Sequence, residues 1–239
     1  MHLIRSILRW TGAALCWGAV ATVLWVLLLR WVDPPITWHM AQQAREQGRL
    51  ERAWAPLPEI SRHLPLAVIA SEDQRFFHHG GFSWEAIERA REHNRQGRRV
   101  RGASTISQQT AKNVFLWPQR SWLRKGLEVG FTVLVEALWS KERILEVYLN
   151  VAEMGPGVFG AQAAARHCFG RTADRLTAAQ CALIAATLPA PRRYACKRPS
   201  AYLSGRQRWV QRQMRNIGDQ MDPEVRRRVG EKVRAEKRK

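Results

Sequence analysis

The amino-acid sequence predicts a mainly α-helical protein in which a single transmembrane helix precedes one helical domain. Three observations support this fold class. An uncharged apolar segment near the N-terminus is long enough to cross a bilayer. Apolar residues further along recur at intervals of three and four, as on one face of a helix. The alternation of polar and apolar residues that is typical of strands is nearly absent.

The predicted anchor is the segment from Trp10 to Leu29, which has 20 residues without a charge. A helix of that length spans about 30 Å, the thickness of the hydrocarbon core. Arg5 and Arg9 precede it, which favours a cytoplasmic N-terminus. A cleaved signal peptide is the alternative, but the apolar run is long for one and no small-x-small site follows it. We therefore expect a cytoplasmic segment at residues 1–9 and an anchor at 10–32 in the inner membrane, with the remainder periplasmic.

After the anchor, the pattern divides into three parts. Residues 33–54 form a juxtamembrane segment with a polar helix at 38–52, residues 55–215 a helical domain, and residues 216–239 a basic tail. The tail is predicted to be a solvated, fraying helix over residues 223–239.

Within the helical domain, apolar residues from Leu127 to Leu138 predict an amphipathic helix whose spacing extends to Leu149. A Gly/Pro loop at 155–160 precedes an alanine-rich helix near 161–168. Another helix ends at Pro189, and the Thr177-x-x-Gln180 sequence before it predicts a capping box at its N-terminus.

The charge of the chain restricts the class of its partner. The sequence has 39 Lys and Arg against 20 Asp and Glu, a formal net charge of +19. Residues 61–220 carry +13 of that excess, which excludes a neutral domain with a basic tail. A polyanion is expected: nucleic acid, phospholipid or a phosphate-bearing substrate. Because the anchor places the basic body outside the cytoplasm, we predict membrane lipids and no nucleic acid.

Three cysteines follow the anchor: Cys168, Cys181 and Cys196. An odd number cannot pair completely within one chain, so one disulfide or buried free thiols are both compatible with the sequence. Their spacing does not match a Cys/His metal site.

Two adjacent carboxylates, Glu72 and Asp73, end an apolar helical segment and are followed by aromatic residues, histidines and glycines. One interpretation is a carboxylate base held in a cleft. The other is an ordinary helix C-terminus with a glycine stop, and this segment by itself favours it.

A second cluster spans residues 102–113. Thr105 and Gln108 predict a capping box at a helix N-terminus, where free backbone N–H groups suit a phosphate. Lys112 lies about two turns further along, near the same face. Six arginines against one acid in residues 89–101 would repel one another unless an anion were near. A capped helix behind a solvated basic loop explains the pattern equally well.

A third cluster pairs Arg124 with Glu128 at i, i+4. A surface salt bridge worth at most about 0.5 kcal/mol explains that pair when it is considered alone.

In their order and spacing, however, the three clusters together resemble the peptidoglycan glycosyltransferases. The matching residues are Glu72, Asp73, Phe76, His79 and Gly81; then Gly102, Ser104, Thr105, Ile106, Gln108, Gln109, Lys112 and Asn113; then Arg124, Lys125 and Glu128. Segments 141–150 and 176–189 are similar to the family's later motifs, with Gln180-Cys181 where an acidic residue and alanine are usual. The resemblance covers roughly residues 55–200. The chain lacks Ser-x-x-Lys and Lys-Thr-Gly in its soluble part, so it is expected to resemble the monofunctional members.

The resemblance implies a lysozyme-like helical fold that polymerises lipid II with inversion and releases undecaprenyl pyrophosphate. It implies that Glu72 and Glu128 are the catalytic residues, with Glu72 as the base and Glu128 orienting the donor phosphates. Lipid II and the growing glycan are the expected partners, and other cell-wall synthesis or division proteins are further candidates. No cofactor is required, although a divalent cation (Mg²⁺ or Mn²⁺) is compatible. The implied substrate-binding residues are Asp73, Ser104, Gln108, Gln109, Lys112, Arg120 and Arg124.

Two other functions are compatible with the fold class. A membrane-anchored muramidase would cleave glycan and would need a protonated carboxylic acid, but it has no need of a basic groove. A non-catalytic scaffold would bind anionic lipid or glycan and position other cell-wall proteins.

Overall fold

The computed structural model describes residues 2–97 and 102–236. Arg98, Arg99 and Arg101 of the basic run lie outside the described residues. The described part is mainly helical, as predicted, with one small sheet. Its elements are α1 His2–Leu28, α2 Trp38–Gln47, β1 Glu51–Arg52, α3 His63–Glu72, α4 Trp84–Arg95, α5 Ile106–Phe115, α6 Trp122–Leu138, α7 Lys141–Val151, β2 Glu153–Gly155, β3 Val158–Phe159, α8 Ala161–Phe169, α9 Ala178–Thr187, α10 Ala201–Ile217 and α11 Pro223–Glu236.

Helix α1 is the candidate membrane span, and residues Arg9–Leu28 are long and apolar enough to cross a bilayer. The C-terminal end of α1 is hydrogen-bonded to the helical domain. The Nε1 of Trp139 donates to the carbonyl of Val26 at 2.8 Å. The guanidinium of Arg143 donates to the carbonyls of Leu29 and Val32 at 3.1 and 2.8 Å. These bonds satisfy carbonyls at the helix end, so the domain is fixed to the C-terminal end of α1.

Helix α3 is the centre of the domain. Its residues from Leu64 to Ala70 are all buried, which is expected for a helix that is apolar on every side. Helices α9 and α10 pack against it. Helix α5 packs against α6 and α7. Hydrogen bonds from Ile106 to Asp73 and from Gln109 to Glu72 join the N-terminal half of α5 to the C-terminal end of α3, where the polar clusters lie.

The prediction of a polar helix over residues 38–52 is wrong at the C-terminal end of the helix. Helix α2 stops at Gln47 because Gly48 adopts a left-handed conformation (φ 66°), which a glycine reaches without steric cost. Residues 51–52 instead form β1, which pairs in parallel with β3. β3 pairs antiparallel with β2, so the expected loop at 155–160 is partly a hairpin.

The predicted continuation of the amphipathic helix to Leu149 is also wrong. Helix α6 ends at Leu138, and Ser140 begins α7 by accepting a hydrogen bond from the backbone N–H of Arg143 at 3.2 Å. The alanine-rich helix is confirmed as α8. The capping box of Thr177 and Gln180 is confirmed at the start of α9.

The cysteine pairing that the sequence left open is resolved. Cys168 at the end of α8 forms a disulfide with Cys196, in the segment that leads to α10. Cys181 is buried as a free thiol. Burial raises the pKa of Cys181 to about 12, so this thiol stays protonated and unreactive at neutral pH.

We predict that Gly81→Ala lowers the free energy of unfolding by about 2 kcal/mol or more. Gly81 has a φ of 88°, and a Cβ there would lie 2.8 Å from Cγ2 of Thr132 and 2.9 Å from Cγ of Glu136. Gly80→Ala is the matched control, because a Cβ at Gly80 would meet nothing within 4 Å. Thermal unfolding of both variants in detergent is the measurement, and equal midpoints would contradict the prediction.

Candidate functional site

Two neighbouring cavities flank the start of α5, one beside the C-terminal end of α3 and the other between α5 and α6, and Ser104 lines both. We name them the Glu72 pocket and the Lys112 pocket after the ionisable residues that distinguish them. The Glu72 pocket is lined by residues 71–75, Ser83, Ala86, Arg89, residues 102–105 and Trp209. The Lys112 pocket is lined by His39, Ser104, Gln108, Gln109, Lys112, Asn113, residues 116–118, Arg120, Arg124, Lys125 and Glu128.

Glu72 is the last residue of α3 and lines the Glu72 pocket. Its carboxylate is hydrogen-bonded to other side chains of the protein. Its Oε2 accepts a hydrogen bond from the Nε2 of Gln109 at 3.1 Å, and its Oε1 accepts one from Ser71 at 3.3 Å. Burial raises the pKa of Glu72, and these hydrogen bonds oppose the rise. A carboxylate with a raised pKa is a stronger base than an exposed one, so this site suits proton abstraction.

The side-chain amide of Gln109 is positioned by a hydrogen bond from Tyr148. The hydroxyl of Tyr148 donates to the Oε1 of Gln109 at 3.3 Å, so the amide turns its NH₂ group towards Glu72. Tyr148 is fully buried on α7, and burial raises its pKa well above the usual value. The phenol therefore remains a hydrogen-bond donor at any physiological pH, and Gln109 orients the Glu72 carboxylate.

Asp73 is buried, and its partners belong to the protein. Its carboxylate accepts from the backbone N–H of Ile106 at 3.1 Å and from the Nε2 of His79 at 3.0 Å. The other ring nitrogen of His79 accepts from the backbone N–H of Gly81, which leaves the proton on Nε2. Asp73 therefore joins the end of α3 to the first turn of α5, and its geometry suits positioning better than direct substrate contact.

In the Lys112 pocket, several basic side chains lie around one carboxylate, that of Glu128. Glu128 is buried and accepts from the Nη1 of Arg124 at 3.1 Å and from the Nζ of Lys125 at 2.6 Å. The pair is therefore a buried ion pair and not the surface salt bridge that the spacing alone suggested. Within the described residues, the Nε of Arg124 is buried without a hydrogen-bond partner. Arg120 lies exposed at the rim of the same pocket.

Burial lowers the pKa of Lys112, and the neighbouring Arg124, Lys125 and Arg120 lower it further, whereas Glu128 opposes the shift. Several cations within one cavity repel one another, so a bound polyanion would relieve this cost. The pocket is therefore suited to phosphate or pyrophosphate.

The site residues that the sequence predicts are divided between the two pockets. Ser104 is exposed at their junction. The capping box of Thr105 and Gln108 is confirmed, and it uses the Oε1 of Gln108, which accepts from the Thr105 N–H at 3.0 Å. Gln109 lines the Lys112 pocket, but both ends of its amide contact protein groups.

Sequence analysis missed the contribution of α10. Arg206 donates to Ser71 at 3.3 Å, lies 5.5 Å from the centroid of the Trp209 ring, and favours the ionised form of Glu72. The i, i+3 spacing of Arg206 and Trp209 would have placed both on one helix face. Nothing local to the sequence connects that face with Glu72, which lies 134 positions earlier in the chain.

The pockets do not offer a resident metal site. Among the residues that the structure describes, no group of three or more His, Cys, Asp and Glu could hold a metal ion. Both carboxylate oxygens of Glu128 are engaged by basic side chains.

Comparisons with known proteins agree with the resemblance. The family model described as Transglycosylase matches residues 39–215. A protein of Xanthomonas campestris pv. campestris is 53% identical over 221 residues, which is 90% of either chain. One from Pseudomonas entomophila is 52% identical over 222 residues, 90% of this chain and 94% of its own. One from Aeromonas hydrophila is 50% identical over 220 residues, with the same two shares. Each is named "Biosynthetic peptidoglycan transglycosylase".

We predict that Lys112→Gln weakens the binding of inorganic pyrophosphate by about tenfold or more, because one charged hydrogen-bond donor is lost. Lys112→Arg should bind with an affinity similar to wild type at neutral pH. Because the pKa of Lys112 is lowered, its positive charge is lost at a lower pH than that of an ordinary lysine, whereas arginine stays charged.

The ratio of the wild-type to the Lys112→Arg dissociation constant should accordingly rise as the pH is raised. Calorimetric titrations at several pH values measure this ratio, and comparing the two proteins cancels the titration of pyrophosphate itself. A ratio that does not change with pH would contradict a lowered pKa at Lys112.

Proposed function

The chain belongs to the transglycosylase family and is a peptidoglycan glycosyltransferase, and from that premise we propose how its two pockets divide the reaction. The Glu72 pocket receives the acceptor, a lipid II molecule whose 4-hydroxyl is the nucleophile. The Lys112 pocket receives the pyrophosphate of the donor, the growing glycan on its undecaprenyl carrier. The observation that carries this proposal is that a partly buried carboxylate with a raised pKa lies next to a cluster of cations, with Ser104 between them.

The reaction is a displacement at the donor's anomeric carbon with inversion. The oxygen of the acceptor's 4-hydroxyl forms a bond to that carbon on the face opposite the pyrophosphate. The bond between the carbon and the pyrophosphate oxygen breaks, and its electron pair leaves with undecaprenyl pyrophosphate. The hydroxyl proton passes to the carboxylate of Glu72, which acts as general base and then returns the proton to solvent.

The leaving group needs cations rather than a protonated acid. Undecaprenyl pyrophosphate departs with its negative charge matched by Lys112, Arg120 and Arg124, whose positions around one cavity support this role. Glu128 holds Arg124 and Lys125 in place through its two carboxylate oxygens. We therefore assign to Glu128 the task of orienting the donor phosphate site.

The remaining predicted site residues contribute hydrogen bonds and orientation. Ser104 is exposed between the pockets, where it can donate to a sugar or phosphate oxygen of either substrate. Gln108 lines the Lys112 pocket. Gln109 orients Glu72, and Asp73 holds α5 against the end of α3.

The cation cluster also favours this activity over glycan cleavage. A muramidase protonates a sugar leaving group, which carries no phosphate, and so gains nothing from the charges of the Lys112 pocket. Release of sugar fragments from finished peptidoglycan would identify a muramidase.

The membrane supplies both substrates through their lipid tails. We propose that α1 crosses the inner membrane with a cytoplasmic N-terminus, which leaves both pockets on the periplasmic side. The outer face of α6 supports contact of the domain with the bilayer, because α6 packs beside α1 and exposes apolar side chains. Trp122, which is 92% exposed, Leu123 and Val133 lie on this helix, where a bilayer would cover them.

We predict that Glu72→Gln reduces polymerisation of purified lipid II by about 100-fold or more, because the amide cannot accept the hydroxyl proton. The control is Glu88→Gln, an exposed carboxylate on α4, which should polymerise at the wild-type rate. The assay separates labelled lipid II from glycan polymer over time. Equal product from wild type and Glu72→Gln would refute the assignment of the base.

We also predict that Arg206→Gln moves the acid limb of the kcat/KM profile to higher pH. The positive charge of Arg206 lowers the pKa of Glu72, so its removal raises that pKa. A base is active when ionised, and activity is therefore lost at a higher pH as the solution is acidified. Arg208→Gln, which removes an exposed charge from the same helix, should leave the limb in place. Identical profiles for the two variants would contradict electrostatic coupling between α10 and Glu72.

A further inference from the structure

We infer that the C-terminal helix α11 binds anionic phospholipid headgroups at the periplasmic surface of the bilayer that α1 spans. The helix begins at Pro223, beyond the residues that the family model matches. The inference rests on the proposed membrane orientation of α1, and it adds a lipid-binding surface that polymerisation itself does not require.

Helix α11 is attached to the domain through one face. The guanidinium of Arg226 lies 3.8 Å from the centroid of the Phe77 ring. Its Nη1 donates to the Oε1 of Glu142 at 2.6 Å. One turn later Gly230 faces His78, since a Cβ there would lie 3.4 Å from the imidazole. These contacts give the helix a defined position beside the turn that follows Asp73.

The contact with Glu142 sets the distance of α11 from the bilayer. Glu142 lies in the first turn of α7, next to Arg143, which donates to the carbonyls of Leu29 and Val32 where α1 ends. Trp139, three residues before Glu142, donates to a carbonyl of α1 itself. The start of α7 therefore lies where α1 leaves the membrane. Because Arg226 at the start of α11 contacts Glu142, this end of α11 lies close to that level.

The charge of this segment fits an anionic surface at that distance. Residues 221–239 contain eight basic and four acidic residues. Arg227 and Arg228 are exposed, beside the face that Arg226 and Gly230 turn towards the domain. Basic side chains are attracted to an anionic bilayer, and the attraction extends over a Debye length of about 8 Å. Headgroup phosphates are therefore the anions that α11 can reach.

The test is hydrogen exchange of the α11 backbone in the full chain, reconstituted in two kinds of nanodisc. One contains phosphatidylcholine only, and the other contains phosphatidylcholine with about one third phosphatidylglycerol. We expect exchange at residues 223–236 to be at least about fivefold slower in the anionic discs, and high salt should remove the difference because the interaction is electrostatic.

The double variant Arg227→Gln/Arg228→Gln should lose most of this slowing. The matched control is Arg208→Gln/Arg212→Gln, which removes two exposed charges from α10 and should retain the slowing. Equal exchange in both lipids would overturn the inference. So would slowing that survives in the Arg227/Arg228 variant, or slowing that requires an added acidic protein.

Polymerisation of lipid II by the same preparations is measured in parallel. Wild-type activity without lipid-dependent exchange would reject the lipid contact and leave the glycosyltransferase assignment intact. Absent polymerisation with lipid-dependent exchange would reject the assignment of the reaction and retain the lipid contact.

Discussion

The carboxylate of Asp73 connects the two halves of the candidate site, and the positions of both pockets depend on it. It accepts from the first backbone N–H of α5 and from the imidazole of His79. The end of α3 is thereby held against the start of α5, with Glu72 on one side of the junction and Gln109 and Lys112 on the other. A buried carboxylate without these donors would be costly, so the interaction defines a single arrangement of the two helices.

The two carboxylates to which we assign catalytic roles, Glu72 and Glu128, occupy different environments, and that difference supports different tasks. The carboxylate of Glu72 accepts hydrogen bonds from neutral donors, and burial raises its pKa. The positive charge nearby is that of Arg206 on α10. Glu128 is in direct contact with Arg124 and Lys125. A carboxylate of the first kind can take up a proton, whereas one of the second kind holds cations in place. The same division separates the chemistry of the nucleophile from that of the leaving group.

The candidate membrane helix α1 is also packed against the helical domain. The guanidinium of Arg143 binds the carbonyls that end α1, and α6 lies beside α1 with an apolar outer face. The domain is thus held at one orientation to the candidate membrane helix. An enzyme whose two substrates both carry lipid tails benefits from this restriction, because their reacting groups lie at a limited height above the membrane.

The sequence by itself determined the features that depend on neighbouring residues. The capping boxes at Thr105 and Thr177 involve partners three positions away, the anchor depends on a continuous apolar run, and the ordered motifs identified the family. Only the tertiary structure decided which distant groups meet. Tyr148 donates a hydrogen bond to Gln109, Arg206 lies near Glu72 through its bond to Ser71, and Cys168 forms a disulfide with Cys196. The tertiary structure also decided that the amphipathic pattern breaks at Ser140 and that Asp73 binds protein groups. Local patterns limit the backbone of a few residues, but contacts between remote segments depend on how the helices pack and close the chain around a common core.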